Sequence, residues 1–173
     1  MQNSIIIPVR AGSKDLKDKN IRPFCGQPLL GYVLTKLCKS DIFEHIIVTS
    51  DSDDYLSIAD KYGATDLIKR PLSLATDTAA SSEVLKHAIS KFEENRKINN
   101  DKYFLTQVTS PLWLPQDLID FVNRSMSIKS SLVSVCLAKQ NPYYNLLEKS
   151  STGYSLVKQS KFRNFWKCRS WFI

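Results

Sequence analysis

Arg10, Lys14, Lys17 and Lys19 stand close together, immediately after the apolar run Ser4 to Val9. Arg10 offers a planar fork of donors, and Lys14 and Lys19 offer compact ammonium charges. Ala11, Gly12 and Ser13 lie between them and are small enough for backbone N–H groups to approach an anion. Together these groups suit a triphosphate. The segment is not a Walker loop, because the second glycine and the Lys-Ser/Thr pair are missing, and it lacks the GxGxxG fingerprint. On the residues alone a solvated surface loop is an equally open reading, since lysines usually face water.

Other groups invite chemistry less directly. Asp51 and Asp53 form a DxD pair whose oxygens would suit a hard cation, but they also stand where a helix cap and first-turn acids belong. We favour the capping role. The cysteines, Cys25, Cys38, Cys136 and Cys168, include no CxxC pair and are accompanied only by His45 and His87, so neither a zinc site nor a disulfide framework is indicated. Cys25 and Cys136 read as core fillers, and both histidines as structural or surface residues.

The elements that must position these groups follow from periodicity. Ser4 to Val9 reads as a first strand. Leu29, Leu30, Val33, Leu34 and Leu37 share one helical face, and Pro28 fits the first turn of that helix. "HIIVTSD" (His45 to Asp51) is a β-branched strand, followed by a helix that Ser52 caps and Gly63 ends. Asp66 to Lys69 forms a short strand, and Arg70 to Thr78 a loop. Val84, Leu85, Ala88, Ile89 and Phe92 predict a helix from about Ser81 to Arg96. Strands are expected at Tyr103 to Val108 and Ser131 to Leu137, with a helix opened by Pro115 between them. This alternation predicts an α/β domain with a mostly parallel sheet covered on both faces, whose ligands bind where strands end and loops begin.

The chain has 173 residues, 43% of them hydrophobic, enough for one sizeable core. No apolar run is long enough to span a bilayer and no secretory signal pattern opens the chain, so a cytoplasmic protein with no membrane partner is expected. The net charge of +7 is unevenly placed. Five of those seven excess charges lie in Lys158 to Ile173, "KQSKFRNFWKCRSWFI", which holds no acid. The preceding residues are nearly balanced, so no nucleic-acid partner is expected, although this basic aromatic tail suggests a competing reading as a base-stacking module.

"PVRAGSKDLKDKNI" resembles the amino-terminal signature of the CMP-sialic acid synthetases and their relatives. "IIVTSDSDDYLSIADKYG", "KRPLSLATDTAASSEVLKHAI" and "LTQVTSPL" match further segments in the family's order, and the resemblance covers most of Ile5 to about Val157. It implies a three-layer Rossmann-like nucleotidyltransferase fold over 1–157. The implied reaction transfers CMP from CTP to a sialic-acid-like nonulosonic acid, with magnesium (Mg2+) as cofactor and a homodimer as the assembly. Carried over residue by residue, it assigns Arg10, Ala11, Gly12, Ser13, Lys14, Lys19 and Asn20 to the nucleotide loop, with Arg10 and Lys19 as catalytic groups. Arg70, Ala79 and Ser81 match positions that hold the cytidine, and Ser81 also reads as a helix cap. Gln107, Thr109 and Ser110 match the sugar-side segment, where turn chemistry before Pro111 is the other reading.

The sequence also departs from that family. After "NPYYNLLEKSSTGYSLV" the relatives continue through an arginine- and glutamine-rich segment to an aspartate pair that binds magnesium, and neither is present here. We expect residues 158–173 to be an aberrant tail on an incomplete domain, with nucleotide binding retained and catalysis weakened. The metal ligands therefore stay unassigned. Trp113 stands where relatives commonly place arginine, which leaves the sugar pocket open, and a catalytically inactive binding protein or an octulosonate transferase are the alternatives.

Overall fold

The structure is a computed structural model that describes residues 3–13, 16–76, 78–98, 100 and 102–135, with the backbone of 147–150 and 153–156. The chain divides into two compact units, Met1–Asp120 and Phe121–Ile173, each described by itself below.

In the first unit, β1 (Ser4–Pro8), β4 (His45–Ser50), β5 (Asp66–Lys69) and β6 (Tyr103–Leu105) form one sheet in the order β5-β4-β1-β6. Every pairing is parallel, with Ser4 opposite both His45 and Tyr103 and Ile47 opposite Asp66. Parallel strands joined by crossovers are buried on both faces, which explains why the three isoleucines of β1 are at most 1% exposed. Between β1 and α1 (Leu29–Ser40) the two-residue strands β2 (Pro23–Phe24) and β3 (Gln27–Pro28) form an antiparallel ribbon.

The chain steps from β1 to β4 to β5 in one direction and then returns to place β6 on the far side of β1. Right-handed crossovers therefore put α1 and α2 (Asp53–Lys61) on one face and α3 (Ser81–Arg96) on the other. Ile6, Ile47 and Ile68 pack with Ala88 and Phe92 of α3 on that second face. Truncating Phe92, 1% exposed, would cost about 3–5 kcal/mol. Leu30, Val33 and Leu34 of α1 are fully buried, as the periodicity requires. The expected three layers and parallel sheet are thus observed. Because the order of strands reverses beside β1, the crevice between the carboxyl ends of β1 and β6 is the place where such a sheet takes a ligand.

Local chemistry sets the boundaries. Ser52 accepts the Tyr55 N–H and starts α2, and Gly63 at φ 91° follows its end, a left-handed angle that glycine adopts without strain. Pro28 sits one residue before α1 rather than inside its first turn. β6 ends at Leu105, short of the expected Val108, because Ser110 N–H donates to the Gln107 carbonyl and closes a turn there. Cys25 is exposed at φ 49°, at the tip of the β2–β3 ribbon, so it does not fill the core. No helix among the described residues is long and apolar enough to cross a membrane.

Helix α4 (Pro115–Met126) begins in the first unit and ends in the second. In the second unit, β7 (Leu147–Ser150) and β8 (Gly153–Leu156) pair antiparallel, with Ser150 opposite Gly153. The periodicity missed this hairpin, although Gly153 among serine and threonine was a turn signal. Residues 131–135 form no strand, against the one expected at Ser131 to Leu137, and Val133 and Val135 are exposed. Alternating apolar residues become a strand only against a partner, and none pairs with them among the described residues. Cys136, Leu137 and residues 158–173 lie outside the described residues, and so do the two expectations attached to them, the core-filling cysteine and the basic tail.

Candidate functional site

A cavity of about 310 Å³ opens at the switch point, wholly within the first unit. Three loops and one helix start build it. The loop after β1 contributes Arg10, Ser13, Lys19 and Asn20, and the loop after β5 contributes Arg70, Leu74, Thr76 and Ala79. The start of α3 supplies Ser81, Val84 and Leu85, and the end of β6 with its following turn supplies Leu105, Gln107, Val108 and Thr109. The volume lies at the lower end of the roughly 300–1,000 Å³ usual for small-molecule sites.

The loop after β1 is held from several sides. Asn20, 9% exposed, donates from Nδ2 to the Arg10 carbonyl across 3.2 Å, closing the loop on itself. Lys19 and Asn20 lie in a 3₁₀ turn, Lys19–Ile21, entered through Asp18 at φ 53°. The Tyr55 hydroxyl donates to Asp18 Oδ1 at 3.4 Å. Burial, together with the Asp18 and Asp51 charges, pushes that phenol up to about 12. The Ala11 N–H donates to Asp51 Oδ1 at 3.0 Å. Asp51 therefore ties the end of β4 to this loop rather than capping α2, because Ser52 already occupies the cap. The same bond means that the Ala11 N–H, expected to face an anion, is already used. Asp53 sits in the first turn of α2 and pairs with Lys69 at 2.6 Å on the surface.

Arg70, 5% exposed, joins two strand ends from below. Its Nη2 donates to the carbonyls of Val9 at 3.0 Å and Thr49 at 2.8 Å, and its Nη1 to that of Leu74 at 3.5 Å. Burial lowers the guanidinium pKa; the Asp51 charge opposes this and the Arg10 charge adds to it. Arg70 lines the cavity, yet most of its donors are spent on the backbone.

Helix α3 begins at Ser81 with Ala80 in the cap position and no side chain capping it. Ser81 is thus the first helical residue and not the cap. The positive end of a 16-residue helix lies at the cavity wall beside Ala79 and Ser81, where its dipole favours an acceptor. The described lining contains Arg10, Lys19 and Arg70 and no carboxylate, so its field attracts anions.

Of the residues singled out in the sequence, Arg10, Ser13, Lys19, Asn20, Arg70, Ala79, Ser81, Gln107 and Thr109 come together around one cavity. Ala11, Gly12 and Ser110 do not line it, and Lys14 lies outside the described residues. Gly12 serves the loop through its backbone, at φ 69°. Sequence reasoning missed Pro8, Leu74, Thr76, Val84, Leu85, Leu105 and Val108. Val84 and Leu85 were counted only as a helix core face, although the first turn of α3 also forms the apolar wall.

Comparison with known proteins places residues 4–139 in a match to a family described as Cytidylyltransferase. The chain is 38% identical over 136 residues to an N-acylneuraminate cytidylyltransferase of Escherichia coli, covering 79% of this chain and 31% of that protein. It is 33% identical over 160 residues to a CMP-N,N'-diacetyllegionaminic acid synthase of Campylobacter jejuni, covering 92% of this chain and 67% of that one. Among solved structures, CMP:2-keto-3-deoxy-manno-octonic acid synthetase complexed with CTP superposes with a TM-score of 0.58 at 20% identity. That match covers 73% of this chain and 48% of the other, and it is a likeness of fold.

Proposed function

The chain belongs to the cytidylyltransferase family, and on that premise we propose that it binds CTP in the cavity at the switch point and transfers CMP to a nonulosonic acid. The observation that carries this reading is the convergence of Arg10, Ser13, Lys19 and Asn20 with the start of α3 around one cationic cavity. Family membership supplies the cytidine nucleotide, and the names of the relatives supply the acceptor class.

In the proposed reaction the anomeric hydroxyl oxygen of a 2-keto sugar acid attacks the α-phosphorus of CTP and gives up its proton to solvent water. The bond from that phosphorus to the β-phosphate bridging oxygen breaks, and pyrophosphate leaves. Arg10 and Lys19 would neutralise charge on the phosphate oxygens as the leaving group departs. Asn20, locked to the Arg10 carbonyl, holds Arg10's backbone in place, and Ser13 adds a hydroxyl donor. Ala79, Ser81 and the start of α3 would face the pyrimidine, while Gln107 and Thr109 would face the acceptor. Arg70 would act from beneath by fixing the ends of β1 and β4.

Magnesium is part of the proposal as a partner of the nucleotide. The described lining holds no carboxylate, and no cluster of three metal-ligating side chains occurs among the described residues. These residues do not fit a protein-held magnesium, so no step here runs through the ion. The proposal also takes the protein to be a cytoplasmic homodimer without a nucleic-acid or membrane partner. The test is pyrophosphate release from CTP with N-acetylneuraminate, N,N'-diacetyllegionaminate, pseudaminate or 3-deoxy-manno-octulosonate as acceptor. Release with one of the first three supports the reading; release only with the octulosonate, or with none of them, overturns it.

A further inference from the structure

We propose that Lys36, which does not line the cavity, is a positioning residue that fixes the turn carrying Gln107 and Thr109; the acceptor role of that turn rests on the function proposed above. Lys36 stands on α1, and its Nζ donates to the Pro111 carbonyl at 2.9 Å and to the Trp113 carbonyl. The same ammonium lies 4.1 Å from the centre of the Trp113 ring and 5.5 Å from that of Tyr32. An ammonium has three N–H groups and no preferred plane, so one lysine can bind two carbonyls of a curling backbone and still face an indole.

The turn needs such a tie. The ladder to β1 ends with the Thr106 N–H donating to the Ile6 carbonyl, and the bond from Ser110 N–H to the Gln107 carbonyl is internal to the turn. At the far end the Leu114 N–H donates to Asp117 Oδ2 at 2.7 Å, which anchors the chain at the start of α4. Lys36 fastens the stretch between these points to α1, a helix whose opposite face is locked in the core. Burial lowers the Lys36 pKa and the Asp117 charge opposes that shift, so the ammonium is partly withdrawn from water in favour of these partners. A small displacement of substrate-facing groups is enough to cost a large factor in rate. A lysine outside the cavity can therefore govern what its wall accepts.

Hydrogen exchange of the full chain, followed by mass spectrometry, tests this with Lys36→Met and Lys36→Arg. Losing charged hydrogen bonds should speed exchange across 106–114 by about tenfold or more in Lys36→Met. Peptides from β1 and β4 and the affinity for CTP should stay within about twofold, since these bonds do not reach them. Lys36→Arg keeps a cation and donors and should restore part of the protection. For the acceptor that the wild-type chain uses, KM should rise in Lys36→Met by about tenfold, with kcat changed less. Unchanged exchange over 106–114, an equal rise in β1 and β4, or an unchanged acceptor KM would each overturn the proposal. A wild-type chain that does not turn over defeats the function proposed above, and with it the acceptor role, while the exchange measurement still decides whether Lys36 holds the turn.

Discussion

The carboxylate of Asp51, at the end of β4, accepts the backbone N–H of Ala11 across 3.0 Å and so holds the loop after β1 against the neighbouring strand. Asp51, one member of the DxD pair, thus belongs with the cationic loop, while Asp53 pairs with Lys69 on the surface.

Removing that acceptor should loosen the loop that presents Arg10 and Ser13. Asp51→Ala is expected to weaken CTP binding by about tenfold, near 1.4 kcal/mol, as a part-buried donor loses its charged acceptor. Asp51→Asn keeps an oxygen able to accept and should recover most of the loss. Equal losses in both variants, measured by calorimetry, would assign the effect to the charge instead of the bond.

Arg70 is expected to matter first for stability. Arg70→Met takes the guanidinium donor from the Val9 carbonyl and one of two donors from the Thr49 carbonyl, which keeps the Val9 N–H, and should cost about 1–3 kcal/mol in urea unfolding. A loss below about 1 kcal/mol, beside a large loss of CTP affinity, would instead make Arg70 a direct ligand contact.

The bond from Tyr55 to Asp18 predicts an alkaline weakness. The Tyr55 phenol is raised from its ordinary 10.0 to about 12 in the folded chain. A raised pKa stabilises the fold below the unfolded value, and that contribution is lost as pH rises from 10.0 through about 12. Tyr55→Phe should flatten the decline in unfolding free energy across that window. Tyr103, raised by burial and by Glu93, gives both proteins a shared background. Identical slopes in the two proteins would remove Tyr55 from the explanation.

Much of the fold could be read from periodicity because its pattern is strong. Helix α3 was expected from Ser81 to Arg96 and occupies those residues, since Val84, Ala88 and Phe92 bury one continuous stripe. The Ser52 cap and the Gly63 stop needed only local chemistry. What could not be read depends on tertiary partners. No local rule says that Asp51 will reach Ala11 instead of capping its own helix, or that Arg70 will turn its guanidinium toward strand-end carbonyls. Lys36 gave no signal at all, because its partners Pro111 and Trp113 are brought to it only when β6 returns beside β1. Val133 and Val135 show the opposite error, an alternating pattern without a partner strand among the described residues.

The most direct measurement is calorimetric titration of the full chain with CTP, ATP and GTP in magnesium buffer, repeated with Arg10→Ala. Selective binding of CTP, reduced by about tenfold or more in the variant as a charged contact is lost, is the predicted result. A folded chain that binds no nucleotide, or binds all three alike and does so equally well without Arg10, would contradict the proposed nucleotide site.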